Sequence, residues 1–140
     1  MSQQDIAAQA SDSIADTDFA LTPARQPVEG LIVLKTSKGL RFEAPADIEW
    51  LEADRNNVMF HIRGEVVSIR VKMSDLETAL DPGRFVRISR SSIVNLAHVK
   101  EAVSIQGGLY VFEMRSGQRL HSSRSRARQI RRLAASVRRW

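Results

Sequence analysis

Three short polar segments carry the side chains best suited to contact nucleic acid: Arg55–Asn57, Ser89–Ser91 and Ser122–Arg124. The fork of an arginine guanidinium matches the two major-groove acceptors of guanine, and asparagine can make paired hydrogen bonds to adenine. Hydroxyl groups and spare cations suit phosphate oxygens. Each segment also has an ordinary explanation, because the asparagines can form a turn and Arg90 and Arg124 can form surface salt bridges. The residue types alone leave both explanations open.

Groups that could activate one another for catalysis are not apparent in the sequence. It has no nucleophile elbow, no glycine-rich phosphate loop and no cluster of metal ligands. His61 alternates with apolar neighbours, so we expect it to point into solvent, whereas the apolar surroundings of His98 predict a hydrogen-bonded structural imidazole. His121 and Ser122 are adjacent on a predicted strand and should point to opposite faces. We therefore predict that the protein is not an enzyme and needs neither a metal nor another cofactor.

The charge is distributed unevenly along the chain. The first 30 residues hold five acidic residues and one arginine, whereas the remaining 110 hold 20 Lys and Arg against 11 Asp and Glu. The net charge of +5 therefore understates how basic the later part is. A domain of this charge attracts polyanions, and nucleic acid is the commonest of them. Anionic membrane surfaces and acidic proteins are the alternative partners.

Residues 1–28 form an acidic leader with too few apolar side chains to build a core, and we predict that it is disordered. A short helix over residues 6–15 is the weaker alternative, and the acidic leader could fold back on the basic domain and compete with DNA. The sequence has no cysteine, no apolar stretch long enough to span a bilayer and no secretory signal. We expect a cytoplasmic protein that does not bind membranes.

Short alternating apolar segments predict about eight to ten strands joined by tight turns, and hence a mainly β domain over residues 29–140. Helical spacing occurs twice. The first helix begins near Ser74, which is predicted as its N-cap, with Glu77 three residues later in a capping-box position. The second begins at Ser123 and carries a narrow apolar stripe among seven arginines. We predict that this stripe packs on the sheet; a helix lying on a membrane surface is the alternative.

The order of three motifs resembles the LytTR family of bacterial DNA-binding domains over about residues 30 to 135. The segment Ile48–Ala53 followed by Asn57-Val58 is similar to the strand–turn–strand with which the family begins. The segment Phe85–Leu96 is similar to its central motif. The segment Gly117–Leu120, leading into Ser123-Arg124 and a helix, is similar to its closing motif. Together these motifs are specific, although each alone would be weak.

The resemblance implies an elongated fold of about ten mostly antiparallel strands, which reads duplex DNA with loops inserted into successive major grooves. Carried over by position, the base contacts would come from Asn57, Arg90 and Arg124. The phosphate contacts would come from Arg55, Arg87, Ser91, Ser123 and Arg126. Family members commonly bind direct-repeat sites and regulate transcription, so a homodimer on DNA and a regulatory protein partner are further implied partners. The acidic leader is too short for an upstream receiver domain, so we expect control by a partner, by abundance or by the leader.

Two positions depart from the family motif. Ser89 replaces a histidine that often precedes the central arginine, and Ser92 replaces an aromatic residue that commonly follows it. Both departures bear on the preferred base sequence rather than on the fold. The alternative function, from another class, is a basic β protein-interaction module that docks an acidic regulatory partner. RNA binding is a third alternative, and the sequence disfavours it because exposed aromatic residues for base stacking are scarce.

Overall fold

The computed structural model of the chain describes residues 30–136. The acidic leader and its alternative helix over residues 6–15 lie outside the described residues, as do residues 137–140. The division into a leader over residues 1–28 and a domain over residues 29–140 therefore stays a prediction.

The described residues form ten strands and two α-helices, which confirms the predicted mainly β fold. The strands are β1 (Ile32–Thr36), β2 (Gly39–Glu43), β3 (Ile48–Asp54), β4 (Asn57–Ile62), β5 (Glu65–Ile69), β6 (Phe85–Ser89), β7 (Ser92–Asn95), β8 (Val99–Ile105), β9 (Leu109–Met114) and β10 (Arg119–His121). The helices are α1 (Met73–Ala79) and α2 (Arg124–Ser136). Short 3-10 helices at Pro45–Asp47 and Leu96–His98 lead into β3 and β8.

All strand pairs are antiparallel and belong to three sheets. The central sheet has five strands in the order β5-β4-β3-β7-β6, and it stands between the β1-β2 pair and a three-stranded sheet of order β10-β9-β8. Because successive residues of a strand point to opposite faces, the central sheet buries apolar side chains on both of its faces.

Two apolar cores result. On one face, Leu51 and Phe60 pack with Leu34 of β1 and Leu76 of α1. The other core contains these residues: Trp50, Val86, Ile88, Val94, Phe112, Met114, Leu120 and Ile130. The apolar stripe of α2 contributes the buried Ala127 and Ile130 to this packing, which confirms that the helix packs on the sheets. No helix within residues 30–136 is long and apolar enough to cross a membrane.

The N-cap of helix α1 lies two residues earlier than the sequence predicts, and the predicted capping box is wrong. Lys72 is the N-cap, and no side chain caps the helix. Ser74 already lies inside the first turn, where its carbonyl oxygen accepts a hydrogen bond from Thr78 Oγ1 at 3.0 Å. The Glu77 carboxylate turns away from the helix start and binds arginines of other elements.

The strand register brings several loops to the same end of the central sheet. Asp54 pairs with Asn57 across the β3–β4 turn, and Glu52 pairs with Ser92 where β7 begins. The β3–β4 turn and the β6–β7 turn therefore lie side by side. Arg70, directly after β5, is at this end as well, because Ile69 pairs with Val58.

The opposite end of the central sheet carries an ion-pair network around Glu43. This carboxylate is only 4% exposed, and it lies 2.7 Å from Arg41 Nη2 and 2.9 Å from Arg63 Nη1. Arg41 also pairs with Glu65, and Arg63 pairs with Asp47. Burial raises the pKa of Glu43, but the hydrogen bonds from the two arginines outweigh it, so its pKa lies below the ordinary value.

Candidate nucleic-acid interface

The β3–β4 turn presents the first group of candidate contacts. Arg55 and Asn56 form a two-residue turn, in which Arg55 adopts a left-handed φ of 61° and is exposed. Asn57 is the first residue of β4 and is half-buried. A groove beside this turn is also lined by Arg70 and Lys72 from the β5–α1 connection. The turn thus lies in a basic, polar surface.

The β6–β7 turn presents the second group. Arg90 and Ser91 are exposed at its tip, and the Ser91 N–H donates to Ser89 Oγ at 3.2 Å. The Arg87 side chain holds the backbone of the turn through two hydrogen bonds. Its Nε donates to the Ser89 carbonyl at 3.1 Å, and its Nη2 donates to the Arg90 carbonyl at 2.6 Å. The backbone that carries Arg90 is therefore held by a side chain of the preceding strand.

The junction between β10 and α2 presents the third group. Ser123 is half-buried, its hydroxyl lies 3.1 Å from that of Ser125, and Arg124 is exposed. Arg124 lies against the β8–β9 turn, where a Cβ on Gly107 would come within 3.3 Å of Arg124 Nη2. Ser122 is not available to DNA, because it is 5% exposed and its hydroxyl accepts the Tyr110 N–H at 3.0 Å.

Backbone hydrogen bonds join the three segments. The Ala53 N–H, just before the β3–β4 turn, donates to the Ser91 carbonyl at 2.8 Å. The Ser123 N–H donates to the Ile88 carbonyl, also at 2.8 Å. The central turn is therefore fastened to both of its neighbours, and we call the surface formed by residues 55–57, 89–91 and 123–126 the three-loop edge.

One carboxylate also connects two of these segments. Glu77 of α1 accepts a hydrogen bond from Arg87 Nη1 at 3.0 Å and another from Arg126 Nη1 at 2.8 Å. Burial raises the pKa of Glu77, but the hydrogen bonds from Arg126 and Arg87 outweigh it and hold the pKa below the ordinary value. Glu77 therefore stays ionised at neutral pH.

The eight predicted contact residues lie at one edge of the molecule, but their side chains differ in whether they have hydrogen-bond partners. Within residues 30–136, the side chains of Asn57, Arg90 and Arg124 have no hydrogen-bond partner, and Arg55 has none either. Arg87 and Arg126, by contrast, are paired with Glu77. Ser91 and Ser123 line the same groove, whose lining is Arg87, Ser89, Arg90, Ser91, Ser123, Ser125 and Arg126. The salt bridges suggested as alternatives for Arg90 and Arg124 do not form among the described residues.

Sequence reasoning missed three residues of this region. Arg70 and Lys72 join the groove at the β3–β4 turn only through the β4–β5 register, and pairing Val58 with Ile69 would have located them. Glu77 was placed in a capping box by its local spacing, whereas its partners are 10 and 49 residues away along the chain. No local signal in the sequence could have indicated those partners.

Two of the histidines, His61 and His98, make contacts within the fold. The prediction that His61 points into solvent is wrong: its ring stacks on Trp50 at a centroid distance of 3.9 Å, because the two residues pair across β3 and β4. Burial lowers the pKa of His61, although Glu52 and Glu49 oppose this. His98 Nε2 lies 2.6 Å from the Ala46 carbonyl, which confirms the hydrogen-bonded imidazole. Over residues 30–136, no group of histidine and acidic side chains is arranged to hold a metal ion.

Comparisons with known proteins agree with this geometry. Residues 38–135 match the family model of the LytTR DNA-binding domain. A CO-responsive transcriptional regulator, RcoM of Rhodospirillum rubrum, is 30% identical over 118 residues, which cover 81% of this chain and 50% of that protein. The chain thus spans about half the length of this relative. A solved LytTR DNA-binding domain from Bacillus cereus superposes with a TM-score of 0.68 at 25% identity, covering 74% of this chain and 95% of that one. The chain therefore belongs to the LytTR DNA-binding domain family, the DNA-binding domains of bacterial transcription regulators.

Proposed function

We propose that the chain regulates transcription by binding specific duplex DNA sequences through the three-loop edge, with Asn57, Arg90 and Arg124 contacting bases. The observation that carries the proposal is that, among the described residues, these three side chains have no hydrogen-bond partner, whereas Arg87 and Arg126 beside them are paired with Glu77. A guanidinium without an internal partner can present its whole fork to a guanine edge, and a free amide can do the same for adenine. The turns that carry them are held in place by backbone hydrogen bonds.

The phosphate contacts are assigned to the groups that flank these three residues: Arg55, Arg87, Ser91, Ser123 and Arg126. Arg87 has little free surface, because its side chain is 12% exposed and three of its nitrogens already donate hydrogen bonds. Arg126 keeps its Nε and Nη2 for a phosphate, since only Nη1 binds Glu77. Arg70 and Lys72 extend the phosphate-binding surface along the groove of the β3–β4 turn.

The proposal extends to how the protein would sit on its sites. Loops entering successive major grooves, at two sites in direct repeat, would orient two copies in the same direction. Any homodimer on DNA would then make head-to-tail contacts rather than two-fold symmetric ones. A cytoplasmic location, and control through a regulatory protein partner, belong to the same proposal. The number of protein copies bound per repeat can be tested by measuring the mass of the complexes formed on duplexes with one repeat and with two.

The experiment that tests sequence recognition is the selection of bound duplexes from a random DNA pool, run in parallel with Arg90→Ala and Arg124→Ala. We expect an enriched motif for the wild type. Each arginine variant should lose about 1–3 kcal/mol of binding to that motif, because one guanidinium fork on guanine contributes this much discrimination. The loss should be confined to the base position that the arginine reads. Equal losses on the selected and on a scrambled duplex would contradict the base-reading assignment.

The alternative function is a basic β module that docks an acidic regulatory protein, with DNA bound only as a polyanion. It predicts no enriched motif and a binding affinity that depends on salt but not on sequence. It also predicts that Arg90→Ala and Lys72→Ala weaken DNA binding alike, because both variants would remove one unit of positive charge and nothing else. The same selection therefore separates the two functions.

A further inference from the structure

Glu77 occupies a position between two of the proposed reading segments without belonging to either. It lies on α1, and each of its carboxylate oxygens accepts one arginine: Oε1 binds Arg87 and Oε2 binds Arg126. It is absent from the lining of the groove that holds Arg90 and Ser123. Glu77 therefore binds two arginines that line this groove, while Glu77 itself lies outside the lining.

The first of these arginines determines the shape of the central turn. Arg87 lies on β6, next to the register shift between Arg87 and Ser89, where the ladder to β7 is irregular. Its Nε and Nη2 donate to the carbonyls of Ser89 and Arg90, and its remaining contact is the Glu77 carboxylate. A guanidinium held on three sides has a fixed orientation, so Glu77 contributes to the placement of the backbone at Arg90.

The second arginine belongs to the first turn of α2. Arg126 lies two residues after Arg124, and besides Glu77 it contacts only Gln129 Oε1, at 3.2 Å, among the described residues. The bond to Glu77 is thus a side-chain hydrogen bond between the start of α2 and the body of the domain. It connects the segment carrying Arg124 to the same carboxylate that supports the turn carrying Arg90.

We propose that Glu77 is a positioning residue for sequence recognition: by bridging Arg87 and Arg126, it fixes the turn that carries Arg90 relative to the helix start that carries Arg124. The inference rests on the proposed function, since it assigns base reading to those two arginines. It also makes a prediction that charge alone does not. If Glu77 acted only as a negative charge near DNA, it would repel phosphate, and its removal would strengthen binding to every sequence. If Glu77 instead holds Arg87 and Arg126 in place, its removal should weaken binding to the cognate sequence.

Two substitutions separate these effects. Glu77→Gln removes the charge and can accept only one of the two arginine hydrogen bonds. Glu77→Asp keeps the charge but is one methylene shorter, so it cannot reach both arginines in the present geometry. The matched control is Glu101→Gln, which makes the same substitution at an exposed position of β8 that lines neither of the two grooves described above. Thermal unfolding of every variant establishes the temperature range in which all are folded, and binding is measured there.

We expect Glu77→Gln and Glu77→Asp each to bind the selected cognate duplex about tenfold more weakly, because a hydrogen bond to an ionised group is lost. Binding to scrambled duplex should change by less than about twofold, as should both affinities of Glu101→Gln. In a pool selection, the variants should lose preference at the positions that Arg90→Ala and Arg124→Ala also lose. Preference at the position lost in Asn57→Ala should remain.

Each of the following results would overturn the inference. Equal gains on cognate and scrambled duplex for Glu77→Gln would make Glu77 a charge that merely repels DNA. A Glu77→Asp variant identical to wild type would show that charge suffices and that reach does not matter. Uniform loss at all base positions, including the one read by Asn57, would indicate general destabilisation. A wild type without any sequence preference would overturn the proposed function as well, whereas a specific wild type with unchanged Glu77 variants would overturn only this inference.

Discussion

Two glutamates at opposite ends of the central sheet each bind two arginines, yet their surroundings differ. The Glu43 side chain is 4% exposed and lies within a network that also contains Glu65 and Asp47. The Glu77 side chain is 33% exposed and joins α1 to β6 and α2 at the three-loop edge. The same arrangement of one carboxylate and two guanidinium groups therefore occurs once in a buried setting and once at the surface.

The comparison shows that burial decides how much such a cluster of one carboxylate and two arginines contributes to folding stability. A buried carboxylate that loses its partner remains as an unpaired charge in a poorly solvated place, and this is costly. An exposed carboxylate that loses its partner is hydrated, so little stability depends on it. The Glu43 network accordingly serves the fold, whereas the Glu77 contacts are free to serve the placement of the loops.

The largest expected difference is in stability. Replacing Arg41 with Ala leaves Glu43 with one arginine, and we expect the free energy of unfolding to fall by about 2 kcal/mol. Replacing Arg126 with Ala should cost less than about 1 kcal/mol, because Glu77 can be solvated. Urea denaturation of the two variants beside the wild type measures both values. Similar losses for the two variants would contradict the distinction between the two sites.

The dependence of stability on pH gives the second test. Hydrogen bonds from arginines hold the pKa of Glu43 and of Glu77 below the ordinary glutamate value of 4.5 despite their burial, and Arg41 does the same for Glu65. A carboxylate with a lowered folded-state pKa stabilises the protein fully above its unfolded value and loses that contribution as pH falls through the folded value. We expect stability to be constant above about pH 7.5. It should decline slightly as pH falls through 6.5, because burial lowers the folded-state pKa of His61 below that value, and it should decline further below the ordinary glutamate value.

Two variants test which end of the central sheet causes this decline of stability at acidic pH. Arg41→Ala should show a shallower loss of stability between neutral and acidic pH than the wild type, because Glu43 and Glu65 then titrate nearer to their ordinary pKa. Glu77→Gln should change the profile less. Urea unfolding at stepped pH values provides the measurement, and a profile altered more by Glu77→Gln than by Arg41→Ala would reverse the ranking.

The smallest expected effect is on the salt dependence of binding. Arg70→Ala should lower the slope of log affinity against log salt by about one, equally for cognate and scrambled duplex, because one phosphate contact is lost. Lys38→Ala is the matched control, since its charge acts on Glu65 in the network of the opposite end. That variant should leave the slope unchanged. A lower slope for Lys38→Ala would mean that the far end also contacts DNA.

The sequence predicted the strands well because alternation of apolar residues follows from burial on a pleated sheet. It also located the three-loop edge, since Arg90 and Arg124 stand where apolar periodicity breaks and polar residues accumulate. It could not predict the Glu77 bridge, which depends on contacts between residues far apart in the chain. His61 shows the same limit. Alternation correctly places it on the face of β4 opposite its apolar neighbours, but only the pairing of β3 with β4 shows that Trp50 covers it there.

The backbone bonds from Ala53 to Ser91 and from Ser123 to Ile88 have a thermodynamic consequence. Loops that are already fastened to their neighbours lose little conformational entropy when they meet DNA, whereas ordering a mobile side chain costs about 0.5–1.5 kcal/mol. The side chains of Asn57, Arg90 and Arg124, which have no hydrogen-bond partner within residues 30–136, would then account for most of the ordering cost. The heat-capacity change on binding should accordingly remain near that of a rigid docking, well short of the value for coupled folding.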